Sequence, residues 1–349
     1  MVAAPPGTAL DPTRLRWGWL GLTLSVLAAA ALAGITIGPA GLHPWQVVEE
    51  LVGGRLVGRP SALSETHQAI IWEIRLPRVV LGGLIGGLLS VAGASYQGVF
   101  RNPLADPYLL GVAAGGGLGA TAVISLVPSA DTRLLPVAAF AGALAAAGLT
   151  YVVGRSMGGR SAVSLILAGV AVAAFFTALQ TFVLQRNADT IRQVYSWILG
   201  QLATTGWREV MIVIPYAVVC GTALVLHRRL LDVMSVGDEE VESLGVSSAR
   251  VRMTVVIFAT LATAAAVAVS GLIAFVGIVV PHTIRLLVGV SYRSLIPVSA
   301  VAGAAFLILA DLAARTVVSP AELPIGVITA FIGAPFFMVV LRTTRRYVA

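Results

Sequence analysis

The sequence predicts an all-α, polytopic membrane protein with ten transmembrane helices, and three observations carry that expectation. Hydrophobic residues make up 58% of the 349-residue chain and charged residues only 11%, with a mean hydropathy of +0.93. A soluble domain holds roughly 45–50% apolar and about 25% charged residues. Apolar runs of about 20 residues recur along the chain, the length a helix needs to cross a hydrocarbon core about 30 Å thick while bonding every backbone amide within its own segment. The runs are continuous, whereas the strands of a membrane barrel would alternate apolar and polar residues.

In order, the runs place spans near residues 17–38, 79–100, 108–127, 134–154, 162–185, 210–227, 253–270, 272–289, 295–314 and 325–341. Ten spans put both termini on one side of the membrane. The first run follows Arg14 and Arg16 and contains an Ala31-Leu-Ala33 cleavage-like triplet, but it continues to Ile37. That exceeds the 7–15 residues usual for a signal-peptide core. All 23 basic residues are arginine. With the N-terminus inside, fourteen of them fall on cytoplasmic segments, including a tail over 1–15 and a loop over 228–252. The positive-inside bias therefore favours cytoplasmic termini. The net charge of +7 is explained by arginines facing anionic lipid and calls for no nucleic acid.

The missing lysine excludes chemistry. A P-loop needs a lysine to reach the β- and γ-phosphates, and Schiff-base or pyridoxal chemistry needs an amine. Four histidines and one cysteine, Cys220, offer no metal-ligand spacing and no disulfide framework. No cofactor or metal site is expected, and no catalytic grouping stands out. An ion-coupled carrier would keep carboxylates within its spans, yet Asp311 is nearly the only one. It lies four residues before Arg315, at the spacing of an ion pair on one helix face. A self-sufficient carrier or channel using Asp311 is the alternative to an externally powered transporter.

One segment departs from the apolar background. Ser235-Val-Gly-Asp-Glu-Glu-Val-Glu-Ser-Leu-Gly245 is acidic and flanked by arginines. Ser235 and Asp238 have capping-box spacing, and Asp238, Glu239 and Glu240 suit the first turn of a helix, where the dipole favours anions. Val241 and Leu244, three residues apart, would share a face. Gly245 supplies a C-terminal stop, and Ser247 or Ser248 a cap for the helix carrying Arg250 and Arg252. Such a segment is either a solvated connector or a short docking helix for a partner.

The remaining features are quieter. Pro103 and Pro107 stiffen the Arg101–Pro107 loop and bias Asn102 and Asp106 towards local backbone bonding. Gly82, Gly83, Gly86, Gly87 and the Gly115–Gly117 run leave small surfaces for close helix packing. Ser90, Gln97, Ser164 and Gln180 are polar positions within spans that could line a path or bond a neighbouring carbonyl. Tryptophans near span ends fit an interfacial belt.

Several blocks resemble one family. Arg75-Leu-Pro-Arg78, Gly93-Ala-Ser-Tyr-Gln97-Gly and Arg101-Asn-Pro-Leu-Ala-Asp-Pro-Tyr-Leu-Leu-Gly111 are followed in order by Leu165–Val170, Trp197–Gly200, Ser270–His282, Leu309–Arg315 and Glu322–Val327. The chain is similar to the FecCD-type permeases of bacterial ABC importers for iron-siderophores, haem and vitamin B12. That resemblance implies a type II ABC importer permease fold over the whole chain as one domain. It also implies a homodimer, one ATPase copy for each subunit, and a periplasmic or lipid-anchored substrate-binding protein. By the same carry-over, Asp238, Glu239, Glu240, Val241, Leu244 and Gly245 form the helix seated in the ATPase. The resemblance favours a role for Arg75, Arg78 and Arg315 in meeting acids of the binding protein, whereas on sequence alone snorkelling at a span end explains arginines there equally well. The family's inner gate precedes Leu165 and falls on Ser161, Ala162, Val163 and Ser164, with alanine and valine where relatives carry small hydroxyl residues. An iron chelate is the first expectation for cargo, with haem or cobalamin next.

Overall fold

A computed structural model describes residues 16–38, 41–54, 61, 63–127, 133–156, 162–202 and 206–344. Within them the chain forms α1 (Trp17–Thr36), α2 (Pro44–Gly53), α3 (Glu65–Ala69), α4 (Leu76–Val99), α5 (Val112–Leu126), α6 (Leu134–Ser156) and α7 (Ala162–Arg186). It continues with α8 (Ile191–Ile198), α9 (Arg208–Met234), α10 (Asp238–Ser243), α11 (Ser248–Ser270), α12 (Val276–Val288), α13 (Tyr292–Thr316) and α14 (Ile325–Thr344). A π-helical turn over Ile70–Arg75 fuses α3 to α4. Among the described residues there is no strand. Seven helical stretches are long and apolar enough to cross a membrane, and α5, α12 and α14 supply shorter apolar helices at the other expected positions. The expected tail over 1–15 lies outside the described residues.

The departures from expectation have local causes. α5 starts at Val112 rather than near 108, because the prolines hold residues 101–110 in turns and Gly111 adopts φ 78°. There Asn102 Oδ1 accepts from Leu104 N at 2.9 Å and Asp106 Oδ1 from Tyr108 N at 2.7 Å, the local bonding expected of them. α9 runs on to Met234, well past residue 227, because its polar end is amphipathic and buries Leu231 and Met234. α2, α3 and α8 went unforeseen, since short amphipathic helices leave no span-length apolar run.

The hub of the bundle is α4, which packs against α9, α11, α12 and α13. In its stretch, 78% of the apolar window is buried inside the subunit, against 22% for α7 and α9. Glycine makes that crowding feasible: a Cβ on Gly86 would collide with the Gly303 carbonyl of α13, and one on Gly93 with the Gly277 carbonyl of α12. α5 and α6 pair in the same way through Gly115 and Gly142.

Irregular backbone interrupts the apolar helices between α11 and α12, where Gly271 (φ 68°) and Phe275 (φ 70°) take left-handed conformations. Its polar groups find partners inside the protein. Ser270 O accepts from Gln201 N at 2.8 Å, and Tyr108 Oη donates to Ile273 O and accepts from Ile273 N, both at 3.0 Å. Ile325 N and Gly326 N bond Gly200 O and Leu199 O. Three segments far apart in sequence thus close one junction, as non-helical backbone at membrane depth requires.

Candidate functional site

α10 stands at one end of the bundle, between α9 and α11. Gly237, with φ 124°, is its N-cap. Ser235 forms no capping box; its Oγ donates to Asp232 O at 2.6 Å and closes α9 instead. The helix ends in paired bonds from Gly245 N to Glu242 O (2.9 Å) and from Val246 N to Val241 O (3.2 Å). With Gly245 at φ 76°, this is a Schellman turn, the stop expected of that glycine. Val241 and Leu244 differ in burial: Val241, within the helix, is fully buried, whereas Leu244, the C-cap beyond Ser243, is 66% exposed.

The base of α10 is clamped. Both Asp238 carboxylate oxygens accept from Arg252 Nη2 of α11, at 3.0 and 2.8 Å, and Arg101 Nη2 lies 3.2 Å from the same carboxylate. Ser248 Oγ donates to Glu242 at 3.1 Å, and Ser247 caps α11. Just before α10, Asp232 accepts from Tyr292 N at 2.6 Å and from Ser291 Oγ at 3.0 Å, tying α9 to the start of α13. Glu239, Glu240 and Leu244 remain exposed. Arg101, Arg252 and Asp232 were not assigned to this site from the sequence, because their contacts join separate elements of the fold.

A second charged cluster joins α1, α4 and α13. Arg78 holds Asp311 through Nε and Nη2 at 2.9–3.1 Å and Glu322 through Nη1 and Nη2 at 2.9–3.1 Å. Arg315 Nε lies 3.1 Å from Asp311, so the i, i+4 pair read from sequence is formed. The same two helices are locked to α1, because Arg75 Nη1 donates to Ile35 O (2.6 Å) and Thr36 O (2.8 Å), and Arg315 Nη2 to Gly34 O (2.9 Å). These carbonyls lack intrahelical partners at a helix C-terminus, where the dipole also favours a cation. Arg75 is only 5% exposed. Glu322 lies in a matched sequence block but went unassigned.

The polar positions within spans join helices of one subunit. Gln97 Nε2 donates to Gly277 O and its Oε1 accepts from Arg285, both at 3.2 Å. Gln180 Nε2 donates to Thr121 Oγ1 at 3.0 Å. Ser90 is buried against Gly303. At the gate positions, Ser161 lies outside the described residues, Ala162 starts α7, Ser164 is half-buried, and Val163 is exposed on the helix surface.

Span-length apolar helices and irregular segments satisfied from within define a multi-pass helical membrane protein, and one short charged helix stands out at its end. Its class is a transport permease: the chain belongs to the FecCD transport family, whose sequence model matches residues 26–343. It is 43% identical over 336 residues to the cobalamin import system permease protein BtuC of Halobacterium salinarum, covering 92% of this chain and 89% of that one. It is 37% identical to the iron(3+)-hydroxamate import system permease protein FhuB of Bacillus subtilis, covering 93% of this chain and 82% of that one. A metal-chelate type ABC transporter solved in an inward-facing conformation superposes with a TM-score of 0.81 at 28% identity, covering 93% of this chain and 98% of the other.

Proposed function

We propose that this chain is the ten-span permease subunit of a binding-protein-dependent importer, working as a homodimer with two copies of a separate ATPase. Residues 1–349 act as one permease domain, with both termini cytoplasmic in the inner membrane. A loaded binding protein docks outside and delivers a metal chelate to the dimer cavity. ATP-driven closure of the ATPases moves α10 and reorients the spans. The observation that carries this reading is α10 itself, exposed at Glu239, Glu240 and Leu244 and clamped below by Asp238 and Val241. A push on its tip is passed to α11 through Arg252 and to α13 through the Asp232 anchor.

On the outer face, docking falls first on Arg78, because an acid of the binding protein can exchange with the half-exposed Glu322. Arg75 and Arg315 support that face by holding α1. Cobalamin moves ahead of an iron-siderophore as the cargo, since the cobalamin permease matches at 43% and the hydroxamate permease at 37%. A carrier coupled through Asp311 gains no support: that carboxylate lies between two arginines.

Reconstitution tests the reading. With its ATPase, Leu244→Asp is expected to lose co-purification and ATP hydrolysis coupled to transport while retaining its fold. Full complex formation and normal hydrolysis by the variant would remove α10 from the mechanism. Accumulation of a metal chelate by the chain alone, driven by a proton gradient, would overturn the importer reading altogether.

A further inference from the structure

A groove of about 550 Å³ opens between α6, α7 and α11 at the end of the bundle that carries α10. Its wall is largely apolar, from Leu144 and Tyr151 on α6, Leu165 on α7, and Met253 and Ile257 on α11. Beside it Val152 of α6 is apolar and exposed, so the groove opens onto surface of the kind that lipid chains cover. Arg155, in the last turn of α6, and Arg250, in the first turns of α11, also line it. Among the described residues, neither arginine has a carboxylate within ion-pair distance. Arg252, the third arginine of the lining, is held by Asp238 of α10.

We propose that this groove binds one anionic phospholipid, its acyl chain along α6 and α11 and its phosphate between Arg155 and Arg250. An apolar slot with two uncompensated cations at its mouth matches a ligand with a hydrocarbon tail and a negative head. Basic pockets between helices on the cytoplasmic side of a membrane suit such headgroups. The orientation proposed above serves only to name the leaflet as cytoplasmic; binding itself does not depend on it. Gly148 offers an independent handle, because it lines the groove and a Cβ there would meet nothing within 4 Å. An occupied groove lies directly against the Arg252–Asp238 clamp of α10.

The test is native mass spectrometry of the full chain, released from mixed micelles containing phosphatidylglycerol and phosphatidylcholine of identical acyl chains. Phosphatidylglycerol is expected to be retained preferentially. Arg155→Gln and Arg250→Gln should each lower its retention about fivefold. Gly148→Phe, which fills the slot and leaves both charges in place, should abolish retention while helicity and monodispersity are preserved. Equal retention of the two lipids, or unchanged retention in the double arginine variant, would overturn the proposal. So would displacement of the lipid by millimolar inorganic phosphate alone. A Gly148→Cys probe in a Cys220→Ser background that cross-links to a second copy would assign the groove to a protein interface instead.

Discussion

The two charged clusters of this subunit are built in opposite ways. Around Asp311, every charge is answered within the chain: Arg78 and Arg315 flank the carboxylate, Glu322 takes the other side of Arg78, and α1 carbonyls take Arg75 and Arg315. Around α10, only the base is answered. Asp238 is held by Arg252 and Arg101, whereas the tip leaves Glu239, Glu240 and Leu244 exposed. A closed cluster holds helices in register. An open one, anchored below and exposed above, can transmit force from something outside the subunit.

The contrast breaks most sharply at Asp311. Asp311→Ala deprives Arg78 and the half-buried Arg315 of the buried carboxylate they share and is expected to cost about 3–5 kcal/mol, because removing one partner of such a pair leaves an uncompensated charge. The thermal midpoint of the purified chain in detergent measures this, and removing Arg315 as well should restore part of the loss. A shift no larger than that of Glu239→Gln would mean that the cluster is not closed. Next comes Leu244→Asp, which should leave the midpoint unchanged but weaken ATPase binding by about 30-fold or more, as expected for an exposed anchor at the centre of an interface. The two variants should therefore separate cleanly, one acting on stability and the other on partnership.

Asp238→Asn sharpens the same division within α10. Its carboxylate is partly exposed, with 38% of the side chain open to solvent, so the pair with Arg252 is worth at most about 1 kcal/mol of stability. If the clamp transmits force, coupled ATP hydrolysis should fall further than stability does. Equal losses in midpoint and coupling would reduce Asp238 to a structural residue.

Much of this was legible in sequence, and the failures share a cause. Apolar runs located the membrane helices, because period and length are properties of a single segment. Gly245 was readable as a stop, since a left-handed turn selects glycine locally. The unequal burial of Val241 and Leu244 was not readable, because it depends on how far the neighbouring helices cover each end of α10. The Arg78–Glu322 and Arg252–Asp238 pairs were invisible for a different reason: their partners lie on separate elements, and without the fold no spacing rule joins them. The roles of Arg75 and Arg315 as caps of α1 belong to the same class.

Glu322→Gln is the mildest change and the one that bears most directly on docking. The Glu322 carboxylate is half-exposed, at 49% of the side chain, and the Arg78–Asp311 pair survives its loss, so stability should move by less than about 1 kcal/mol. The effect should appear instead in the encounter with the binding protein. A neutral amide in place of the carboxylate no longer competes for Arg78, whose planar guanidinium then becomes available to an incoming acid. Affinity for the binding protein should rise, and its dependence on salt should steepen, because an added exposed charge pair is screened by ions. Surface plasmon resonance at two ionic strengths reads both. If affinity falls, Glu322 itself is part of the contact surface, and the outer cluster is open after all in the way that α10 is.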